Sequence, residues 1–116
     1  MLNHSETVFE VVSDEAQQLF ATLSHPVALE LLVALHEAPA AVSVLAEKLE
    51  YEISAISRRL NGLMALGLVR FTRVGRSHIY QLTGAVKLQR PPGRLHLSIT
   101  TSRGTAVRIG YDLPSP

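Results

Sequence analysis

Apolar residues recur at three- and four-residue intervals from about position 16 to position 66, and at alternate positions after that. The first pattern predicts helices and the second predicts strands. Ala16, Leu19, Phe20 and Leu23 form one stripe, predicting a helix over 14–23 that starts on Ser13, with Asp14 and Glu15 at its positive end. "SHP" at 24–26 closes that helix and opens another, with Ser24 or His25 at the cap and Pro26 at the first helical position. "PVALELLVALHEA" is polar only at Glu30, His36 and Glu37, so this second helix is expected at the centre of the molecule, with Pro39 stopping it. A third helix is expected over 41–49, capped by Ser43. Leu45, Ala46 and Leu49 turn inward, while Glu47 and Lys48 face water. After a turn at 50–53, a fourth helix is expected from Ser54 to Leu66. Ile56, Leu60, Leu63 and Met64 line its inner face and Gly67 closes its C-terminus. Two short helices separated by about four residues suit a helix-turn-helix.

Beyond Gly67, "LVRFTRV" alternates Val69 and Phe71 against Arg70 and Thr72, and "SHIYQLT" alternates in the same way. Gly75 sits where the tip of a hairpin between them needs a glycine. After Gly84 come three more alternating segments, "AVKLQ", "RLHLSIT" and "AVRIGYDL", separated by the turn signals "RPPG" and "TSRGT". They predict a β-meander or hairpin.

Composition narrows the class. The chain has 116 residues, 47% hydrophobic and 18% charged, which suits one globular domain. No apolar run approaches the roughly 20 residues of a membrane span, and the polar start is unlike a signal peptide, so a cytoplasmic protein with no membrane partner is expected. The absence of cysteine excludes disulfides, thiolate metal sites and a cysteine nucleophile. The net charge of +1 conceals a division: residues 1–52 carry nine acidic side chains and Lys48 alone as a base, whereas residues 53–116 carry ten bases and Asp112 alone as an acid. Such a split fits either an anionic partner, nucleic acid foremost, or two halves that pair with each other in a dimer.

The candidate chemistry lies in the basic half. At helical spacing Ser54, Ser57, Arg58 and Asn61 share the outward face of the fourth helix. Small residues such as Ala55 let a helix backbone approach a major groove, serine hydroxyls bind phosphate, and arginine can bond guanine through two donors. The alternative for this helix alone is an ordinary solvated polar face. Arg73 and Arg76 bracket Gly75 and project from the hairpin tip, with Arg59 and Arg70 near in sequence. Taken alone these are edge charges that deter aggregation; together with the helix they favour double-stranded DNA. His4, His25, His36, His78 and His96 form no short ligand cluster. His4 with Glu6 or Glu10 could reach a metal only together with residues of another subunit. No Ser-His-Asp order, phosphate loop or carboxylate pair stands out, so no enzyme activity and no cofactor are expected.

Residues 19–82 resemble the winged helix-turn-helix repressors of the ArsR/SmtB family. "LFATLSHPVALELLVAL" is similar to that family's "LFKALSDPTRLRILRLL", "LAEKLEYEISAISRRLNGLMALGLV" to "LAEALGLSQSTVSRHLKVLREAGLV", and "RVGRSHIYQL" to the wing "REGRWVYYRL". The resemblance implies a homodimeric transcription regulator whose fourth helix enters the major groove. Ser54, Ala55, Ser57, Arg58 and Arg59 would face DNA, with Arg73, Gly75 and Arg76 in the wing. The family's thiolate metal motif "ELCVCDL" corresponds here to "AVSVLAE", without cysteine. The C-terminal region that carries Asp and His ligands elsewhere in the family here reads as strand with His96 alone. The expected fold is therefore mainly α with β: an N-terminal segment 1–13, a winged helix-turn-helix over 14–84, and a β-rich extension over 85–116 that serves dimerisation or packing. The rival reading is a winged-helix module that docks a protein co-regulator through the acidic half.

Overall fold

The computed structural model describes residues 14–112. Ten elements follow in order: α1 (Asp14–Leu23), α2 (Pro26–Glu37), β1 (Ala40–Ala41), α3 (Val42–Leu49), α4 (Ile53–Ala65), β2 (Val69–Val74), β3 (Ser77–Leu82), β4 (Val86–Gln89), β5 (Arg94–Thr100) and β6 (Ala106–Asp112). The strands form two antiparallel three-stranded sheets, ordered β1-β3-β2 and β4-β5-β6. The expected segment 1–13, with the Ser13 cap and the grouping of His4 with Glu6 or Glu10, lies outside the described residues.

His25 is the N-cap of α2, its Nδ1 accepting from the Val27 N–H at 3.3 Å, and Pro26 occupies the first turn, where its missing N–H costs nothing. Leu31 and Leu32 on α2 are fully buried, as are Leu19 of α1, Leu45 of α3 and Leu60 of α4, so α2 is the central helix that its all-round apolarity predicts.

The boundaries of α3 and α4 correct the sequence expectations. Ser43 does not cap α3: the N-cap is Ala41, with no side-chain cap bond, and Ser43 lies exposed inside the helix. The cause is long-range. Ala40 and Ala41 pair with Tyr80 and Ile79 as the short strand β1, which holds Ala41 extended and starts the helix at Val42. Likewise α4 begins at Ile53, one residue before the expected Ser54, with Glu52 as N-cap and no side-chain cap bond. The connecting turn bends at Glu50, which adopts φ 62°, a left-handed conformation usually left to glycine or asparagine, and its N–H donates to the carbonyls of Ala46 and Glu47. Tyr51 braces this turn against α2 by donating its hydroxyl to Glu30 Oε1 at 2.6 Å, and the contact raises the phenol's pKa above its ordinary value. At the other end of α4, Gly67 has φ 76°; its N–H donates to Met64 and the Leu68 N–H donates to Leu63, the paired bonds of a Schellman stop.

The hairpin β2–β3 departs from the simple alternation read from its sequence. Val69 is buried, but Phe71 is 43% exposed and every residue from Arg70 to Val74 faces water. The hairpin runs past the helices, so its outer half has no apolar surface to pack on.

The C-terminal strands form a meander whose inner row, including Leu88, Leu97 and Ile99, enters the same core as the helices. Two polar contacts tie this sheet to the body. The Thr101 hydroxyl donates to Glu15 Oε1 of α1 at 2.5 Å, and Arg90 lies 3.7 Å from Glu37 of α2, which also binds Lys48 at 2.9 Å. Hydrogen bonds from Thr101 and Thr105, helped by the charge of Arg103, lower the Glu15 pKa. This contact therefore stabilises the fold above the ordinary carboxyl range and is lost as pH falls through the lowered value.

Candidate nucleic-acid interface

Ile56, Leu60 and Leu63 are fully buried and fix the rotation of α4. At about 100° per residue, Ser54, Arg58 and Asn61 then fall on the opposite side, and all three are exposed. Ala55, Ser57 and Arg59 are half-buried on the flanks. The outward row read from the sequence thus loses Ser57, which sits at its margin. Ile53, placed in the turn by sequence, is 56% exposed at the start of α4, and Val44 of α3 is 53% exposed. The outward surface of the helix pair is therefore a mixture of hydroxyl, guanidinium, amide and aliphatic groups.

The wing supplies a second cationic element. Val74 and Ser77 face each other across the two-residue tip Gly75-Arg76. Gly75 has φ 62° and Arg76 does not share the positive φ, as a type II′ hairpin turn requires. This geometry presents Arg76 at the extreme end, with Arg73 opposite His78 two positions behind. Phe71 stacks on His78, ring centroids 4.2 Å apart at 17°, and tilts against Tyr80 at 5.5 Å. That aromatic strip stiffens a hairpin without a core of its own. Sequence reading missed it, although a period of two places all three rings on one face.

The arginines differ in freedom. With the Gln81 amide oriented so that its oxygen faces the guanidinium, Arg70 donates Nη2 and Nε to it at 2.7 and 2.8 Å, directly across the β2–β3 ladder. Arg58, Arg59, Arg73 and Arg76 have no ion-pair partner among the described residues. Glu52, the nearest acid in sequence, is exposed at the cap of α4. Among the described residues, no three His, Asp or Glu side chains are grouped so as to hold a metal ion, and no single helix is long and apolar enough to cross a membrane.

Known proteins share this arrangement. A family profile described as a helix-turn-helix domain matches residues 23–70, from the end of α1 to the root of the wing. An ArsR-like transcriptional regulator from Rhodococcus sp. RHA1 is 39% identical, with 61% of this chain aligned to 67% of that one and a TM-score of 0.56. This chain belongs to the ArsR/SmtB family.

The homodimeric winged helix-turn-helix DNA-binding domain Mb0332 from Mycobacterium bovis, a possible ArsR-family transcriptional regulator, is 25% identical over 61% of this chain and 66% of that fragment, with a TM-score of 0.57. HlyU from Vibrio cholerae is 28% identical over 66% of this chain and 83% of that one, with a TM-score of 0.57. No curated protein sequence matches the chain. As an ArsR/SmtB member this protein is a DNA-binding transcriptional regulator, and its winged helix-turn-helix carries the β4-β5-β6 meander behind it.

Proposed function

We propose that this ArsR-family protein is a homodimeric repressor, acting in the cytoplasm without a cofactor, that reads an imperfect palindrome with α4 in the major groove and the wing on the adjacent backbone. One observation carries the reading: α4 exposes the row Ser54, Arg58 and Asn61 opposite its buried face, and Arg58 and the wing arginines Arg73 and Arg76 have no ion-pair partner among the described residues. Arg58 is assigned to a base edge. Ser54 and Ser57 contact bases or phosphate, and Ala55 and Arg59 line the approach to the backbone. Arg73, Gly75 and Arg76 form the wing contact. Residues 14–84 constitute the DNA-binding unit and 85–116 the extension that packs on it. Two copies related by a two-fold axis would place half-sites about 10 bp apart.

Fluorescence anisotropy of the full chain on its own promoter DNA and on scrambled duplex, at several salt concentrations, tests this. Preferential and salt-steep binding to the promoter is expected. Arg76→Ala is expected to weaken binding to both duplexes and to lower the salt slope by about one unit, because a tip arginine neutralises one phosphate. An unchanged slope removes the wing from the interface. Equal, feeble binding to both duplexes would assign the winged helix to a protein co-regulator instead.

A further inference from the structure

We infer that two copies of this chain join through the outer edge of β6, antiparallel and centred on Gly110, making one continuous six-stranded sheet across the dimer axis. The inference rests on the homodimer proposed above and names its interface.

β6 is a seven-residue edge strand, Ala106–Asp112, paired with β5 on one side and with no described residue on the other. A row of backbone donors and acceptors of that length is a template for another strand. Edges that stay single are usually shortened, bulged or armed with charges or proline. Residues 106–112 contain no proline, and their two charges, Arg108 and Asp112, are of opposite sign, so they repel a second copy only in the wrong register. Burial fades toward this edge. On the inner face of β5, Leu97 and Ile99 are 3% and 1% exposed, whereas their neighbours on β6, Ile109 and Val107, are only half-buried. A further strand beyond β6 would complete the cover of that apolar row.

The outward row of β6 is Arg108, Gly110 and Asp112, which is complementary to itself when reversed. An isologous contact requires one patch to match its own two-fold image. With Gly110 opposite Gly110, Arg108 of each copy lies directly across from the other copy's Asp112, giving two opposite-charge cross-strand pairs. Gly110 brings no side chain of its own to the axis, where Arg94 Nη2 and His96 of β5 already lie 3.5 and 3.6 Å from the place a Cβ would take. Arg108 has no ion-pair partner among the described residues, and the Asp112 side chain is 86% exposed, held from one side by Arg94 at 3.4 Å. One face of the Asp112 carboxylate therefore remains for a second guanidinium.

Charge reversal tests the register. The full chain is taken as wild type, as Arg108→Asp, as Asp112→Arg, and as an equal mixture of the two variants with one isotope-labelled. The wild type is expected to be a dimer by sedimentation. Each variant alone should show a dimer Kd raised about tenfold or more, since every opposite-charge pair becomes a like-charge pair. The mixture should recover wild-type association, with the mixed dimer dominating in native mass spectrometry. That recovery also shows that both variants fold. Single variants that dimerise like wild type, or a statistical mixture of species, would place the dimer interface elsewhere and overturn this inference while leaving the homodimer intact. Protection of β6 amides from exchange that is independent of protein concentration would overturn it as well, because the edge would then be covered within one chain. A wild type that is monomeric at all concentrations would overturn the homodimer reading itself.

Discussion

Arg58→Ala is expected to weaken operator binding by about 1–3 kcal/mol and to flatten discrimination at one base pair of each half-site. The side chain stands on the exposed side of α4, opposite three fully buried residues, and makes no ion pair among the described residues. Its loss therefore removes donors from the ligand without disturbing the core. A panel of duplexes carrying single base-pair changes, measured by anisotropy, reads both parts of the prediction. The wild type should lose affinity at a guanine-bearing position where the variant has already lost it, and the thermal midpoint of the free variant should stay near that of wild type. Equal losses on every duplex would assign Arg58 to a phosphate contact instead.

Leu60→Ala is expected to cost about 2–5 kcal/mol of folding stability, the range for emptying a fully buried leucine site. Leu60 is 0% exposed in the middle of α4 and belongs to the same buried core as Leu19 of α1 and Leu31 and Leu32 of α2. Domains of this size hold only about 5–15 kcal/mol in total, so urea unfolding should show a large fall in midpoint. Asn61, the next residue along, is exposed. Asn61→Ala is therefore expected to stay within about 0.5 kcal/mol of wild type. The pair of variants separates the two sides of one helix: one side holds the fold and the other is left for recognition. If Asn61→Ala unfolded the chain as readily as Leu60→Ala, the rotation assigned to α4 would be wrong.

Much of this architecture could be read directly from the chain because its signals are local. α1 appears over Asp14–Leu23 as its stripe predicts, and His25-Pro26 and Gly67 punctuate α2 and α4 as their chemistry requires. The strands from Val69 onward lie where the period of two places them, and burial alternates along β4 and β5, though not along β2. What escaped the reading depends on distant partners. Two alanines carry no strand signal, yet Ala40–Ala41 pair with β3 and thereby displace the cap of α3. The bond from Thr101 to Glu15 joins residues at opposite ends of the chain, so nothing local announces that the meander packs on α1. On the candidate interface, helical spacing located Ser54 and Arg58, but the one-residue shift in the start of α4 put Ile53 on the surface, and the burial of Ser57 depends on neighbouring elements. The periodicity of β2 set Phe71 on one face with Val69, but only Val69 is buried, because alternation states which residues share a face, not whether that face meets a core.

The wing's failure to find a core has a calorimetric consequence. Phe71 at 43% exposure, Val74 at 60% and Ile53 at 56% keep apolar surface in water on the elements assigned to DNA, where thymine methyl groups could cover it. Complex formation that buries this surface carries a negative heat-capacity change. The binding enthalpy will then grow more negative on warming, and affinity will pass through a maximum with temperature. Interfaces held by phosphate contacts alone lack that curvature, so titration calorimetry at three temperatures distinguishes a hairpin that merely neutralises charge from one that is also dehydrated by its operator.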